Sequence, residues 1–482
     1  MKVLLVSPYN IGKFGLQNIF NAEPLGLEVV AASLDRQHDV RITDLRWEPN
    51  LERTIRKFEP DVVGISCLYT SHTRPVWDLA RRTKAVDPKI RVVVGGHPPT
   101  LAPEFFASSS IDAIVIGDGE LTMPDYCAAV EKGTSLEGVA GLVLNGPKGQ
   151  VRTAKRERPD TLRDTPRPLR TVAGVDRRRH YLSLSRPVGL MEVTRGCPFT
   201  CNFCSIWRFA ESKVRSLDVK AAVDEIASLE ESAIFFVDDH FFVNPAYMLE
   251  LGRALADAKL GKSFNVQSRA DAIAKHPELI DVWKEAGLHA VFFGLEGHDD
   301  ARLKSVNKAT TLSENDRGIR VLQEKGIGVV GNLMVDPRFT KQDFAKMRDY
   351  VRAKNYHFAT YCIATPFPGT GTFRDRAREI NTWNFDLYDI QHAVMETTLP
   401  LPEFYEEYAS LWALRAELQP PTRRWYTVKR FVQMIVQQGL NLELLKNARR
   451  FDRIVKDPSE YRVDHEVVPE MGWPQEAMAA GA

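Results

Sequence analysis

Long apolar runs are missing from this sequence, and with them the basis for a membrane-spanning helix. The opening Met1-Lys2-Val3-Leu4-Leu5-Val6 breaks at Ser7-Pro8, too soon for the apolar region of a secretory signal. An excess of one charge is missing too. Sixty-four Lys and Arg balance 63 Asp and Glu for a net +1, so no whole-molecule field draws the chain to nucleic acid. Cysteine is scarce: six in 482 residues, three of them at 197, 201 and 204. That crowding excludes a disulfide framework and suits a metal, in a reducing compartment. The expected location is the cytoplasm, with at most peripheral contact with the inner face of a membrane.

What is present is a 44% hydrophobic chain long enough for two or three cores. Residues 1–147 alternate short apolar runs (Val3 to Ser7, Val40 to Thr43, Val62 to Ser66, Arg91 to Gly95, Ala113 to Gly117) with helical patterns, the rhythm of a doubly wound, flavodoxin- or Rossmann-like sheet. From Lys148 to Arg179 eleven Lys or Arg face four Asp or Glu among three prolines. Residues 148–185 therefore read as a solvated basic linker. A second alternation fills 186–380, with strands expected at Gly189 to Thr194, Ala233 to Val237, Ser263 to Arg269, Ala290 to Glu296, Gly328 to Met334 and Phe358 to Ala364. Six β/α units predict a partial, open barrel whose chemistry gathers at the strand carboxyl ends. Residues 381–482 read as a mostly α region rich in aromatics. Its basic segment Thr422 to Val436 suits either a membrane surface or a cover for the barrel mouth, and Gln475 to Ala482 is expected to fray.

The motif Thr194-Arg195-Gly196-Cys197-Pro198-Phe199-Thr200-Cys201-Asn202-Phe203-Cys204 follows the first barrel strand. Three thiolates on a four-iron cluster leave one iron open. Zinc would want a fourth Cys or His, and His180 lies beyond an intervening strand. This CxxxCxxC loop, with Phe203 before the last cysteine, resembles the radical S-adenosylmethionine (SAM) superfamily. The resemblance implies a 4Fe-4S cluster on Cys197, Cys201 and Cys204, with SAM chelating the open iron. Asp238 and Asp239 would meet the methionine amine or else cap a helix. Arg269 would pair with the SAM carboxylate or else with Asp271. Glu296, beside Gly294, would take ribose or amine, and Pro366, in the Pro366-Phe367-Pro368-Gly369-Thr370 element, would shape the adenosine wall. Cys362 is either a hydrogen-atom donor or packed core.

Three strand ends converge in the amino-terminal sheet: Ser66, Cys67, Leu68, Tyr69 and Thr70; Gly95, Gly96, His97 and Pro98; and Gly117, Gly119 and Glu120. Together with the barrel and Glu23-Pro24-Leu25-Gly26-Leu27, they resemble the cobalamin-binding domain fused ahead of many radical SAM enzymes. The DxHxxG signature is absent, since Asp238-Asp239-His240 lies in the barrel. The resemblance therefore implies a corrinoid held without a histidine ligand, its lower face near Cys67 to Thr70, with His97 either on the corrin or bonded to backbone. The family chemistry is C-methylation: one SAM methylates the corrinoid, and a second yields the radical that takes hydrogen from substrate. The features most resemble hopanoid C-3 methylases, implying a hydrophobic small-molecule or lipid substrate and an electron donor such as flavodoxin or ferredoxin. Alternatives are a magnesium-porphyrin-type oxidative cyclase and a non-catalytic corrinoid or iron-sulfur electron-transfer protein.

Overall fold

A computed structural model describes residues 1–9, 20–172, 174–182, 185, 187–354, 358–418 and 458–466. The segment Thr422 to Val436 and the carboxyl terminus lie outside the described residues. No helix among the described residues is long and apolar enough to cross a membrane.

The amino-terminal sheet has seven strands in the order Asp39–Asp44, Lys2–Ser7, Val62–Ser66, Arg91–Gly95, Ala113–Val115, Leu142–Gly146, Gly149–Arg152. The first five are parallel and the last two antiparallel. Val3, Leu4, Leu5 and Val6 are all buried, because helices cover both faces of a parallel sheet and no alternation is needed. The expected boundary at 147 falls inside a hairpin. Gly146 pairs with Gly149 and the returning strand reaches Arg152, a turn hidden by the polar, glycine-containing sequence around it.

The second sheet has six parallel strands in chain order: Val188–Met191, Ala233–Phe236, Ser263–Ser268, Leu288–Glu296, Gly328–Val335 and Ala359–Ile363. Helices return the chain between them, as in Pro245–Ala258, where Asn244 accepts the first-turn amide of Tyr247 and proline takes the first position. Leu312–Glu324 starts at a reciprocal capping box formed by Thr311 and Glu314.

The basic linker is a strap, and the expectation of a solvated connector is corrected. Buried Glu23 accepts from Arg170 (2.7 Å), from Arg177, and from the Leu190 amide (2.6 Å) in the first barrel strand. Arg170 also reaches Glu225 (2.9 Å), and Arg177 reaches Glu231 (2.6 Å). Glu28 lies within this cluster, and its carboxyl is pushed up to about 8 by burial and by Glu23. The arginines are therefore counter-ions for carboxylates on both domains, since buried charges must be paired.

The carboxy-terminal region is not a separate layer. Phe385, Leu387, Tyr388 and Val394 pack into the core that holds Phe105 and Phe106 of the first domain, while Ile390 accepts the Ile363 amide (2.7 Å) beside the last barrel strand. Helix Leu401–Leu418 covers that strand, and Tyr408 donates to the Tyr361 carbonyl (3.0 Å).

Candidate functional site

The cysteine loop is held from both flanks by aspartates. Asp238, fully buried, accepts the Val193 amide (3.3 Å), the Thr194 amide (2.5 Å) and the Thr194 hydroxyl (2.6 Å). Burial pushes its carboxyl up to about 8 in spite of these donors. Both oxygens are occupied, so Asp238 braces the loop and is not placed to receive a ligand amine. Neighbouring Asp239 spends one oxygen on the Gly196 amide (2.8 Å), and burial raises it to about 6. Gly196 sits at φ +105, where an added Cβ would lie 2.0 Å from the Lys213 carbonyl oxygen. Only glycine allows this turn.

The three thiols share one pocket. Burial raises Cys197, Cys201 and Cys204, the last to about 12, and each of the three also feels a cysteine neighbour or a nearby cation. Among the described residues no three His, Cys, Asp or Glu side chains gather around a single point as one bound ion requires. Three thiols on one loop, Cys201 buried and Cys197 and Cys204 half-buried, without a closed tetrahedral set, suit one thiolate per iron of a larger cluster.

Arg269 lies over the Phe199 ring (3.7 Å) with Nε on Asp271 (2.9 Å) and Nη2 on the Ala309 carbonyl (3.0 Å). Its Nη1 is buried and has no partner among the described residues. The salt bridge to Asp271 therefore exists, and one donor remains for a ligand carboxylate. His240, the histidine of the barrel motif, meets Ser268 (3.1 Å), and burial holds it down at about 3. Glu296 is buried at φ +63 and accepts from Lys308 (3.0 Å). A Cβ on Gly294 would meet that carboxylate at 2.4 Å, so Gly294 makes room for the ion pair.

The turn after the fourth unit clasps the cysteine loop. Asn307 donates to the Thr200 carbonyl (2.8 Å), Asn202 donates its amide to Val306 (3.2 Å), and Thr372 donates to the Asn202 carbonyl (2.9 Å). Thr372 follows the proline-glycine element containing Pro366, whose Gly369 (φ +83) abuts Leu101 of the first domain. Cys362 accepts from Asn332 (3.4 Å) and packs with Val306, Met334, Ala364 and Met395, with Phe203 against them. Burial pushes its thiol up to about 12.

In the amino-terminal sheet the order reverses between Lys2–Ser7 and Val62–Ser66, the point where such sheets bind ligands. Four large hydrophobic side chains are exposed among the described residues, and three, Tyr9, Leu68 and Tyr69, stand at this point. Below them Thr70 and His72 are buried. Burial lowers His72 to about 4, its ring meets Tyr69 edge-on (5.1 Å), and neither ring nitrogen has a hydrogen-bond partner. Gly96 (φ +122) is dictated by the Cys67 carbonyl, 2.1 Å from where its Cβ would be. Ser66 pairs in register with Gly95, bringing these two strand ends together, and Pro98 is buried in the short helix after Gly96. The exposed Leu68 and Tyr69 at a switch point fit the face of a large flat ring such as a corrin.

His97 and Glu120 do not point to that opening; they form the seam between domains. His97 stacks on Phe209 of the barrel domain (4.0 Å, 11°), and burial lowers it to about 4. Glu120 and Asp118 receive Arg195 (2.7 and 2.9 Å), Asp118 also receives Arg215 (2.8 Å), and Glu192 holds the other edge of Arg195. Gly117 leaves room for Arg158, which also lies over Phe209. Gly119 begins the helix just after Asp118, its added Cβ 3.0 Å from Val30. Lys308, Arg195, Asp118, Phe209 and Tyr9 escape sequence reasoning. The signals were a charged residue inside the cysteine motif and a lysine next to Asn307, neither of which names a distant partner.

The B12 binding domain family matches residues 20–126, and the Radical SAM superfamily matches residues 191–351. The hopanoid C-3 methylase of Methylococcus capsulatus is 31% identical over 417 residues, 84% of this chain and 78% of the relative. The anaerobic magnesium-protoporphyrin IX monomethyl ester cyclase of Rubrivivax gelatinosus is 28% identical over 373 residues, 74% of this chain and 66% of the relative. Among solved structures, the radical S-adenosylmethionine methyltransferase TsrM from Kitasatospora setae, with cobalamin and a [4Fe-4S] cluster bound, shares the fold at a TM-score of 0.67. It is 17% identical, covering 87% of this chain and 89% of that one. With both families matched on one chain and a methylase relative spanning most of it, the chain belongs to the cobalamin-dependent radical SAM methylases, enzymes that work with cobalamin, SAM and a 4Fe-4S cluster.

Proposed function

We propose that this enzyme methylates an unactivated carbon of an apolar substrate, most specifically carbon 3 of a hopanoid. The observation that carries the reading is an apolar wall at the barrel mouth. Val306, Met334, Cys362, Ala364 and Met395 form a cluster separate from the main barrel core, with Phe203, Ile380 and Ile390 only partly buried against it. These residues come from strand ends five and six, the cysteine loop and the carboxy-terminal region, so a substrate here would touch every part of the site. A ring carbon of a triterpenoid has no acidic proton, and a general base, contributing about 10²–10⁴-fold, is inadequate for it. The Methylococcus capsulatus relative supports the substrate class.

When bound, the cofactors supply the electron, the hydrogen-abstracting radical and the methyl group. The chain supplies geometry. Cys197, Cys201 and Cys204 hold the cluster, and Asp238 fixes their loop through the Val193 and Thr194 amides. The second oxygen of Asp239 and the free Nη1 of Arg269 would take the amine and carboxylate of SAM, and Glu296, paired with Lys308, would take its ribose. Phe203 and Pro366 wall the adenosine. Leu68 and Tyr69 would face a bound corrin, with Ser66, Cys67, Thr70, Gly95, Gly96, Pro98 and Gly117 shaping the rim. The Tyr69 ring lies against His72, so Tyr69 would stand between that imidazole and the ring. The hydrogen bond from Asn332 and the packing around Cys362 favour a packed role in that wall over hydrogen-atom donation. A flavodoxin or ferredoxin delivers the electron.

Anaerobic, cobalamin-loaded protein given methyl-labelled SAM, reductant and hopanoids should place label in the lipid. The relative in Rubrivivax gelatinosus favours one rival, ring closure of a porphyrin. Porphyrin turnover without label in product would replace our reading with that one.

A further inference from the structure

Lys308 is the one buried lysine among the described residues, 7% exposed. A buried ammonium is kept only where it is paired and put to use. Its Nζ meets Glu296 at 3.0 Å, and both side chains are 8% exposed. The backbone on both sides is in the left-handed region, Asn307 at φ 51 and Ala309 at φ 52, and Glu296 itself is at φ 63. Side chains other than asparagine adopt that region only at a steric cost. Three such positions around one ion pair mean that the surrounding structure enforces its position. Gly294 adds to this, since any side chain there would come within 3.0 Å of Nζ. The same turn is tied to the cysteine loop through Asn307 to Thr200 and Asn202 to Ser305 (3.1 Å).

The consequence is electrostatic. Thr200 and Asn202, the two neighbours of Cys201, are both bonded to the turn that carries Lys308, so the clamped ammonium is fixed beside that part of the cysteine loop. A fixed positive charge beside a cluster stabilises the form carrying the extra electron.

We propose that Lys308 is a positioning residue for electron transfer: clamped on Glu296, its ammonium makes the iron-sulfur site easier to reduce. The inference rests on the reading of Cys197, Cys201 and Cys204 as cluster ligands. A purely structural role, neutralising Glu296, would leave the reduction potential where it is.

The test is an EPR-monitored redox titration of anaerobically reconstituted, cobalamin-loaded full-length protein, with iron content measured on each sample. At the wild-type midpoint, Lys308→Met should hold about tenfold less reduced than oxidised cluster, equivalent to about 59 mV for one electron. Lys308→Arg, which keeps the charge, should stay within about twofold of wild type. Lys308→Met with full iron and a wild-type titration overturns the proposal, and so does a Lys308→Arg displaced as far as Lys308→Met. If Lys308→Met takes up no cluster, Gly294→Ala carries the test. It keeps the lysine but breaks the clamp, its Cβ meeting the Glu296 carboxylate at 2.4 Å and Nζ at 3.0 Å, and should shift the titration; an unmoved Gly294→Ala overturns the inference. Wild-type protein that takes up no iron would instead sink the ligand assignment.

Discussion

The two cofactor-holding ends of this molecule are built on opposite principles. At the barrel mouth charge is buried and tied down: Asp238, Arg269, Glu296 and Lys308 are all buried among donors and counter-ions. At the amino-terminal switch point Leu68 and Tyr69 are 52% and 54% exposed, with apolar faces uncovered. A small charged ligand on a cluster must be met by groups already oriented, because desolvated charges placed wrongly are costly. A large flat ring gains most from apolar area removed from water, at about 25 cal/mol per Å². The seam between the ends, Arg195 with Asp118 and Glu120, carries the precision of the first into the second.

If the ends are separable, breaking one should spare the other. The largest effect is expected in Cys201→Ala: reductive cleavage of SAM falls below detection and the cluster absorbance is lost, while cobalamin still binds within about twofold of wild type. Loss of cobalamin binding in this variant would show that the two ends form one unit. Asp238→Asn comes next. Its amide oxygen can keep both Thr194 donors, but its NH2 then faces the Val193 amide and leaves that buried donor unmatched at about 1–3 kcal/mol, and urea denaturation should show that loss. The wild-type Asp238 carboxyl is raised by burial from 3.8 to about 8. The folded state therefore binds the extra proton, and stability falls as pH rises from about 4 to 8. Asp238→Asn should flatten that decline.

Much of this was legible in the sequence because it is local. The strands at Ala233, Ser263 and Gly328, the cysteine loop and the Pro366 element all announce themselves by period or spacing within a dozen residues. Arg170 and Arg177 did not: a run of basic residues looks solvated until Glu23, Glu225 and Glu231 arrive from other elements. The hint lay on the helix Leu25–Leu34, where Glu28 interrupts an apolar face and so requires a distant partner. Lys308 was missed for the same reason, its meaning residing in Glu296 twelve residues earlier across a bulged strand end. Phe385 and Val394, assigned to a third region, filled the first domain's core because apolar sequence does not say which apolar surface it meets.

The complementary break is Tyr69→Ala, which should weaken cobalamin binding about tenfold, as expected for the loss of roughly 1–2 kcal/mol of aromatic burial. Cluster content and SAM cleavage should remain at wild-type levels. Unchanged cobalamin affinity, measured by visible-absorbance titration, would move the corrin away from the Tyr9, Leu68 and Tyr69 cluster.

The smallest effect sharpens the seam itself. His97 stacks on Phe209 at 4.0 Å, an aromatic contact of about 0.5–1.5 kcal/mol, and burial lowers its pKa from 6.5 to about 4. The folded state prefers the neutral ring, so its contribution is complete above about pH 6.5 and is lost as pH falls toward 4. His97→Phe keeps the stack and removes the titration. It should match wild type at pH 7.5 and exceed it by roughly 2 kcal/mol at pH 5, whereas His97→Ala should be weaker at both. Urea denaturation at the two pH values separates these outcomes. Parallel behaviour of His97→Phe and wild type across the range would mean that the ring is solvated and the stack adds nothing to the seam.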